Sequence, residues 1–171
     1  MQRSGVLLLV LCALGIAGCG DDTTAPTNLP IVFTAQLSPA NEVPPIGNAE
    51  NTGHGSVQIT FNVTRDSSNA ITAGTVSFHF QLNGFPSTTT ITGAHIHSAA
   101  AGVNGPIVVN TGVTAGAVTT TDGVATFSAS GISVNPATIQ AIVNNPAAYY
   151  FNVHSTLNPG GFTRGQLSRT L

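Results

Sequence analysis

The chain has no lysine and no tryptophan, and only four of its 171 residues are basic. A surface with so little positive charge excludes a footprint for nucleic acid. Without tryptophan, and with two tyrosines, it also offers little on which a sugar ring could stack, which disfavours an adhesion protein that binds carbohydrate through threonine-rich faces. Charged residues make up 6% and hydrophobic residues 42% of the chain, which is apolar enough to build a core and argues against disorder.

Cysteine is almost as scarce, since only Cys12 and Cys19 occur, both near the N-terminus. Arg3 is followed by an apolar run over 6–16, which is typical of an export signal and is shorter than the roughly 20 residues of a spanning helix. The stretch 16–19, Ile-Ala-Gly-Cys, resembles the lipobox of bacterial lipoproteins. We therefore expect a lipoprotein signal peptide over 1–18 and lipidation at Cys19; an ordinary secretory signal is the alternative.

This N-terminus sets the expected organisation of the rest. Residues 19–30 are polar and aperiodic, which predicts a flexible tether, and 31–171 are the length of one domain. The expected location is the cell envelope, anchored on the extracytoplasmic side, and Gly20 after the cysteine favours the outer membrane over the inner. Lipid at Cys19 would be the sole membrane contact, the partner would be an extracytoplasmic protein or ligand not named by the sequence, and no nucleic acid is expected.

Apolar and polar residues alternate along most of the domain, which predicts strands with one buried face. Strands are expected at 31–37, 55–64, 76–82, 91–97, 106–110, 113–119, 124–130, 149–154 and 162–171, with 55–64 and 76–82 forming a hairpin. Asn135, Pro136 and Pro146 bound one short helical segment. The predicted fold is all-β: an antiparallel Greek-key β-sandwich or barrel of about eight or nine strands.

Two of the five histidines, His95 and His97, lie two residues apart on a predicted strand, so both point to the same side. The same parity places His154 on the outer face of its strand. If the two strands pair, three imidazoles gather in a set that suits copper or zinc. The alternative is a polar face on which the histidines bond to neighbouring groups. By contrast, His79 is expected to be solvated, and His54 falls in a predicted turn.

Acidic residues are few, and Glu42 precedes two prolines in the stretch 37–45. We expect Glu42 to accept hydrogen bonds from its loop or to form a structural ion pair with Arg164, because guanidinium is a bidentate partner for a carboxylate. No nucleophile, base and acid stand together in sequence: Ser98 follows His97 without a nearby carboxylate. No catalytic residue is assigned, and an enzyme is not favoured.

Three stretches taken together resemble the CHRD domain, the module named after its repeats in chordin and found in bacterial secreted proteins and lipoproteins. They are LSPANEVPP at 37–45, AHIH at 94–97 with GPIV at 105–108, and YFNVHS at 150–155 with NPGGFTRGQL at 158–167. The resemblance covers 31–171 and implies an extracellular module without an established catalytic role. One departure is Phe162, where the family usually has an acidic residue, so any ion pair through that carboxylate is in doubt here.

A looser likeness is to copper/zinc superoxide dismutase, also a Greek-key sandwich, because His95, His97, His154 and Arg164 follow in its order. The likeness fails between 97 and 154, where this chain has no histidine, so the bridging and zinc ligands are missing. The sequence therefore predicts a lipid-anchored, non-catalytic binding or interaction module. The alternative is a copper- or zinc-binding protein for storage, delivery or redox work.

Overall fold

The computed structural model of the chain describes residues 28–170. The predicted signal peptide, Cys19 and most of the predicted tether lie outside this range. The described part is an all-β fold of ten strands with one α-helix, and its strands form two antiparallel sheets. None of its helices is long and apolar enough to cross a membrane.

The first sheet has the order β10-β1-β2-β3-β7. Its strands are β1 (Ile31–Leu37), β2 (His54–Arg65), β3 (Ile71–Asn83), β7 (Ala125–Ser133) and β10 (Ser168–Arg169). The predicted hairpin of β2 and β3 is present and antiparallel. The alternation of buried and exposed residues along β1 and β2 follows the alternation of apolar and polar residues in the sequence, as expected of strands with one face in a core.

The second sheet has the order β5-β4-β8-β9, and β6 pairs with the far end of β4. Its strands are β4 (Thr90–Ser98), β5 (Ile107–Asn110), β6 (Val118–Thr119), β8 (Tyr149–Ser155) and β9 (Thr163–Gln166). The inner faces of the two sheets meet in one aromatic core, where the rings of Phe78 and Phe80 from the first sheet both lie 5.9 Å from that of Phe151 on β8. Helix α1 (Pro136–Asn144) packs on β3 through the buried Ile139 and Ile142.

The two sheets are joined along one edge. Just after β1, Ser38 forms an isolated antiparallel bridge with Arg164 of β9, with N–H···O separations of 3.1 and 3.4 Å. The chain then crosses from the second sheet to the first between β9 and β10. The predicted strand at 162–171 is therefore two short strands, because it serves both sheets in turn, and the fold is a sandwich closed at one corner.

Two further local predictions were wrong. Only Val118–Thr119 of the predicted strand at 113–119 pairs with a neighbour. Gly112 and Gly116 have φ of +79° and +80°, a left-handed conformation that interrupts a strand. His54 is the first residue of β2 instead of part of a turn, and it pairs with Asn83. The helical segment predicted within 135–146 is confirmed, with the Asn135 side chain accepting a hydrogen bond from the amide of Ala137.

Candidate metal centre

The structure brings His95, His97 and His154 together on the outer face of the second sheet. His95 and His97 lie on β4, and His154 lies on the adjacent strand β8, opposite Gly93. A bulge between Ile91 and Gly93 adjusts the register at this point. The ring centroids are separated by 5.7 Å for His95 and His97, 4.8 Å for His95 and His154, and 5.5 Å for His97 and His154.

Although this face points away from the core, it is not open to solvent. His97 and His154 are 7% and 8% exposed, and they contact the loops 99–106 and 156–162 through Gly105 and Pro159. We call these two loops, with the loop 38–48 that is hydrogen-bonded to both of them, the covering loops. These loops are fixed to the sheet and to each other by side-chain bonds; for example, Asn104 Nδ2 donates to the carbonyl of Val43 over 2.8 Å. His95 is half-buried and is the most exposed of the three.

The covering loops also orient two of the imidazoles. Nδ1 of His97 lies 2.9 Å from the carbonyl oxygen of Gly105, and Nδ1 of His154 lies 3.0 Å from that of Pro159. A carbonyl only accepts, so each Nδ1 carries the proton and donates it, which leaves the Nε2 lone pairs free. Both Nε2 atoms are buried without a hydrogen-bond partner. An Nδ1–H bound to a backbone carbonyl is the usual outer contact of a metal-ligating histidine.

The position of the third imidazole, that of His95, depends on the absence of a side chain at Gly93. A Cβ built on Gly93 would lie 2.9 Å from Cε1 and 3.3 Å from Nε2 of His95. The ring of His95 therefore rests directly over Gly93, which places it beside His154 on the neighbouring strand. Nδ1 of His95 is buried and has no partner.

The ligand nitrogens of the three histidines all lie within 4.8 Å of one another. Donors at 2.0–2.1 Å from one ion are roughly 3.3 to 3.6 Å apart. An inward rotation of the rings that moves the nitrogens by about 1 Å is thus enough to meet a single ion. The condition set by the sequence, that His154 share the sheet of His95 and His97, is met.

All three imidazoles are held neutral. Burial lowers the pKa of His95 to about 4, with smaller contributions from His154 and His97. Burial also lowers the pKa of His97 and of His154 against the opposing effect of their carbonyl partners. Neutral imidazole is the form that binds metal, so protons do not compete for these lone pairs near neutral pH.

An aromatic ring supports the cluster from the side. The ring of Tyr150 stacks on His97 at 4.9 Å with an interplanar angle of 12°. The Tyr150 hydroxyl accepts a hydrogen bond of 3.2 Å from the amide of Gly105, the residue whose carbonyl holds His97. Arg164 lies on the same ring, with Cζ 4.6 Å from its centroid. Tyr150 therefore fixes both His97 and the loop that orients it.

A family model described as the CHRD domain matches residues 33–167, which include the whole cluster. The chain belongs to the CHRD family. At the level of the family, this supports a binding or interaction module. No curated protein and no solved structure shows significant similarity to the chain. The likeness to copper/zinc superoxide dismutase stays a prediction.

Glu42 and Arg164 of this CHRD domain lie side by side beneath the covering loops, 5% and 2% exposed. Their closest atoms, Oε2 and Nε, are 3.9 Å apart. Arg164 is bonded mainly to the loops: Nε donates to the carbonyl of Asn41 over 2.6 Å, and Nη1 to Oδ1 of Asn104 over 2.8 Å. Burial raises the pKa of Glu42 to about 7 against Arg164 and a hydrogen bond from Asn152.

The departure from the family pattern, Phe162, has a clear place in this CHRD domain. Its ring is fully buried and meets Phe85 edge-on at 4.9 Å. The preceding Gly161 has φ of +123°, and a Cβ there would overlap the side chain of Asn152. The segment thus contributes an apolar anchor to the core at the point where the family pattern has a carboxylate.

The other two histidines of the described chain, which the sequence did not assign to a site, are apart from the cluster. Cys19, the predicted lipidation site, lies outside the described residues. His79 is exposed on the outer face of the first sheet, where Nδ1 lies 2.8 Å from Oγ of Ser128, and His54 is exposed on the first residue of β2. Sequence reasoning missed Gly93, Tyr150 and the carbonyls of Gly105 and Pro159. The spacing Gly93-x-His95 was the only feature of the sequence that could have indicated any of them. The carbonyls could not be predicted, because every residue has a backbone carbonyl whatever its side chain.

Proposed function

We propose that this chain is a lipid-anchored, extracytoplasmic CHRD protein that binds one copper or zinc ion through His95, His97 and His154. Storage or delivery of the ion, without catalysis by the domain itself, is the function we assign to it. The observation that supports the proposal most directly concerns His97 and His154. Their Nε2 atoms are buried without a hydrogen-bond partner, while each Nδ1 donates to a backbone carbonyl.

Buried polar atoms are nearly always paired in native structures. In residues 28–170, eight buried side-chain nitrogen or oxygen atoms have no hydrogen-bond partner, and the cluster contains three of them: Nδ1 of His95 and Nε2 of His97 and His154. These atoms have almost no area that a water molecule can reach. A metal ion is smaller than water and binds at 2.0–2.1 Å, so it would satisfy lone pairs that water does not.

The partial exposure of His95 supports storage or delivery. An ion could reach the cluster from this side, and a partner protein in the envelope could offer a ligand that replaces His95 there while His97 and His154 still hold the ion. Because the two buried ligands are oriented by backbone carbonyls, their protonation and ring orientation would be set before the ion arrives. Only the inward rotation of the rings would remain, which limits the ordering cost of binding.

The anchoring part of the proposal rests on the sequence alone. The lipobox-like stretch at 16–19 and the polar segment after it would place the domain outside the membrane, attached through Cys19. The described chain begins next to the first sheet, and Leu29 is 70% exposed there. This arrangement would leave the covering loops and His95 accessible to envelope partners.

Metal analysis of the purified full-length chain tests the metal site. We expect about one copper or zinc per chain after growth in supplemented medium. We also expect stabilisation on adding the ion, since a ligand at 100 times its Kd stabilises by about 2.7 kcal/mol. The double variant His95→Asn/His97→Asn should lose both, and the matched double variant His54→Asn/His79→Asn should lose neither. Absence of stoichiometric metal together with absence of a thermal shift with either ion in the wild type would refute the proposal.

A further inference from the structure

The donor set of the cluster bears on which ion it takes. Three imidazoles make up the group, and within residues 28–170 no carboxylate or cysteine joins them. The only methionine of the chain is Met1. Neutral donors leave the full charge of a bound ion in place, so the surroundings must accommodate a net charge of +2 for Zn²⁺ or Cu²⁺ but only +1 for Cu⁺.

The surroundings oppose positive charge. The cluster is largely removed from water, which makes an unbalanced charge costly. Arg164 adds a fixed positive charge close by: its Cζ lies 4.6 Å from the Tyr150 ring, and that ring stacks on His97 at 4.9 Å. The carboxyl beside Arg164 is Glu42, at 3.9 Å from it. Any negative charge on Glu42 is therefore shared with Arg164 before it can offset a metal ion.

The number of ligands points the same way. When only three protein ligands hold Zn²⁺, a water molecule normally completes its fourfold coordination, whereas monovalent copper is stable with two or three donors. The donor atoms Nε2 of His97 and His154 have almost no solvent-accessible area. The same covering loops that hide these atoms limit the space for a water molecule as fourth ligand.

We infer that the three-histidine site takes copper in its monovalent form, in preference to Zn²⁺ and Cu²⁺. This inference rests on the proposed metal-binding function and specifies the ion. The usual order of affinities places Cu²⁺ above Zn²⁺ but ranks divalent ions alone, so it does not predict how a site chooses between Cu²⁺ and Cu⁺.

Competition titrations on the full-length chain test the inference. Cu⁺ is added anaerobically against a coloured Cu⁺ chelator, and Zn²⁺ and Cu²⁺ are each added against a chelator of known affinity. We expect one Cu⁺ per chain, bound at least about tenfold more tightly than either Zn²⁺ or Cu²⁺, which corresponds to about 1.4 kcal/mol. X-ray absorption should show three nitrogen donors and no fourth ligand.

A charge variant tests the reason for the preference. Asn152 lies opposite His95 on β8, is 1% exposed and donates a hydrogen bond to Glu42. The double variant Glu42→Gln/Asn152→Asp exchanges the amide and the carboxyl group of this pair, so that a carboxylate of the same shape lies beside the cluster without a second carboxyl group in contact with it. A carboxylate attracts a divalent ion twice as strongly as a monovalent one. Zn²⁺ affinity should therefore rise at least about tenfold more than Cu⁺ affinity. Asn62→Asp, on the exposed face of β2 in the other sheet, is the matched control and should change neither.

The outcomes distinguish a failure of the proposed metal binding from a failure of the preference for Cu⁺. If no ion binds, the proposed function itself fails. If Zn²⁺ or Cu²⁺ binds as tightly as Cu⁺, or if the bound ion has a fourth ligand, the metal site stands and the preference for monovalent copper is overturned. Equal effects of Glu42→Gln/Asn152→Asp on Zn²⁺ and Cu⁺ affinity would also overturn it, because charge would then not decide the preference.

Discussion

Replacing Gly93 by alanine should weaken binding at the proposed metal site while leaving the fold intact. The new Cβ would lie 2.9 Å from Cε1 of His95, whereas carbon atoms in contact are about 3.5 to 4.0 Å apart. The imidazole must therefore move by about 0.6 to 1.1 Å. The three rings must already close in by about 1 Å to meet one ion at 2.0–2.1 Å, and the added methyl group would force the His95 ring off the position over Gly93 from which it can do so.

The cost to stability should be small. The obstructing atoms belong to the far end of a half-buried side chain, which can turn away. Gly93 is not among the glycines with positive φ, so alanine fits the backbone and also reduces the entropy of the unfolded chain, worth about 0.4–1 kcal/mol. We expect an unfolding free energy equal to or slightly above that of the wild type, and an affinity for copper about 10 to 100 times lower.

Two measurements check this prediction. Chelator competition gives the metal affinity, and NMR gives the cross-relaxation between ring protons of His95 and His154, whose centroids are 4.8 Å apart in the wild type. Gly47→Ala is the matched control, because nothing lies within 4 Å of a Cβ at that position. Unchanged affinity and an unchanged His95–His154 signal in Gly93→Ala would refute the role given to Gly93.

Two other substitutions address Glu42 and the anchor. Glu42 has its pKa raised by burial from 4.5 to about 7, so the folded state binds more protons than the unfolded state between these values, and stability from this group falls as pH rises through that window. Because glutamine does not titrate, the free energy of unfolding of Glu42→Gln relative to that of the wild type should increase by up to about 3 kcal/mol from pH 4.5 to pH 8. Urea unfolding at both pH values measures this difference, and an equal difference at the two would contradict the prediction. Cys19→Ala should abolish incorporation of labelled fatty acid into the protein, whereas Cys12→Ala should leave it unchanged; absence of labelled fatty acid from the wild type, or its presence in Cys19→Ala, would exclude the lipid anchor at Cys19.

The strands could be predicted from the sequence wherever the alternation of apolar and polar residues was uninterrupted, as in β2 and β3. The alternation failed at 113–119, because glycines with positive φ turn the chain before two residues pair with β4. The alternation also could not show that the segment 162–171 contributes one strand to each sheet. That depends on the position of β1, which is set by long-range pairing and not by local pattern.

Strand parity was enough to place the histidines on one face, since His95, His97 and His154 are all at outward positions. It could not show that the face is covered, because the cover comes from loops distant in sequence. Asn41 and Arg164, 123 residues apart, exchange two hydrogen bonds that attach one of these loops. The acceptors of the histidine Nδ1 protons were equally hidden, because they are main-chain oxygens.

Because main-chain oxygens hold His97 and His154, most substitutions in the loops that supply them leave the acceptors in place. Pro159 can be exchanged for another residue without removing its carbonyl group. Insertions and deletions act differently, since one residue more or less in the segment between Ser98 and Gly105, or between His154 and Pro159, would carry the oxygen away from its imidazole. Within the CHRD family, the lengths of these two segments should therefore be a better marker of a functional metal centre than the identities of the residues in them.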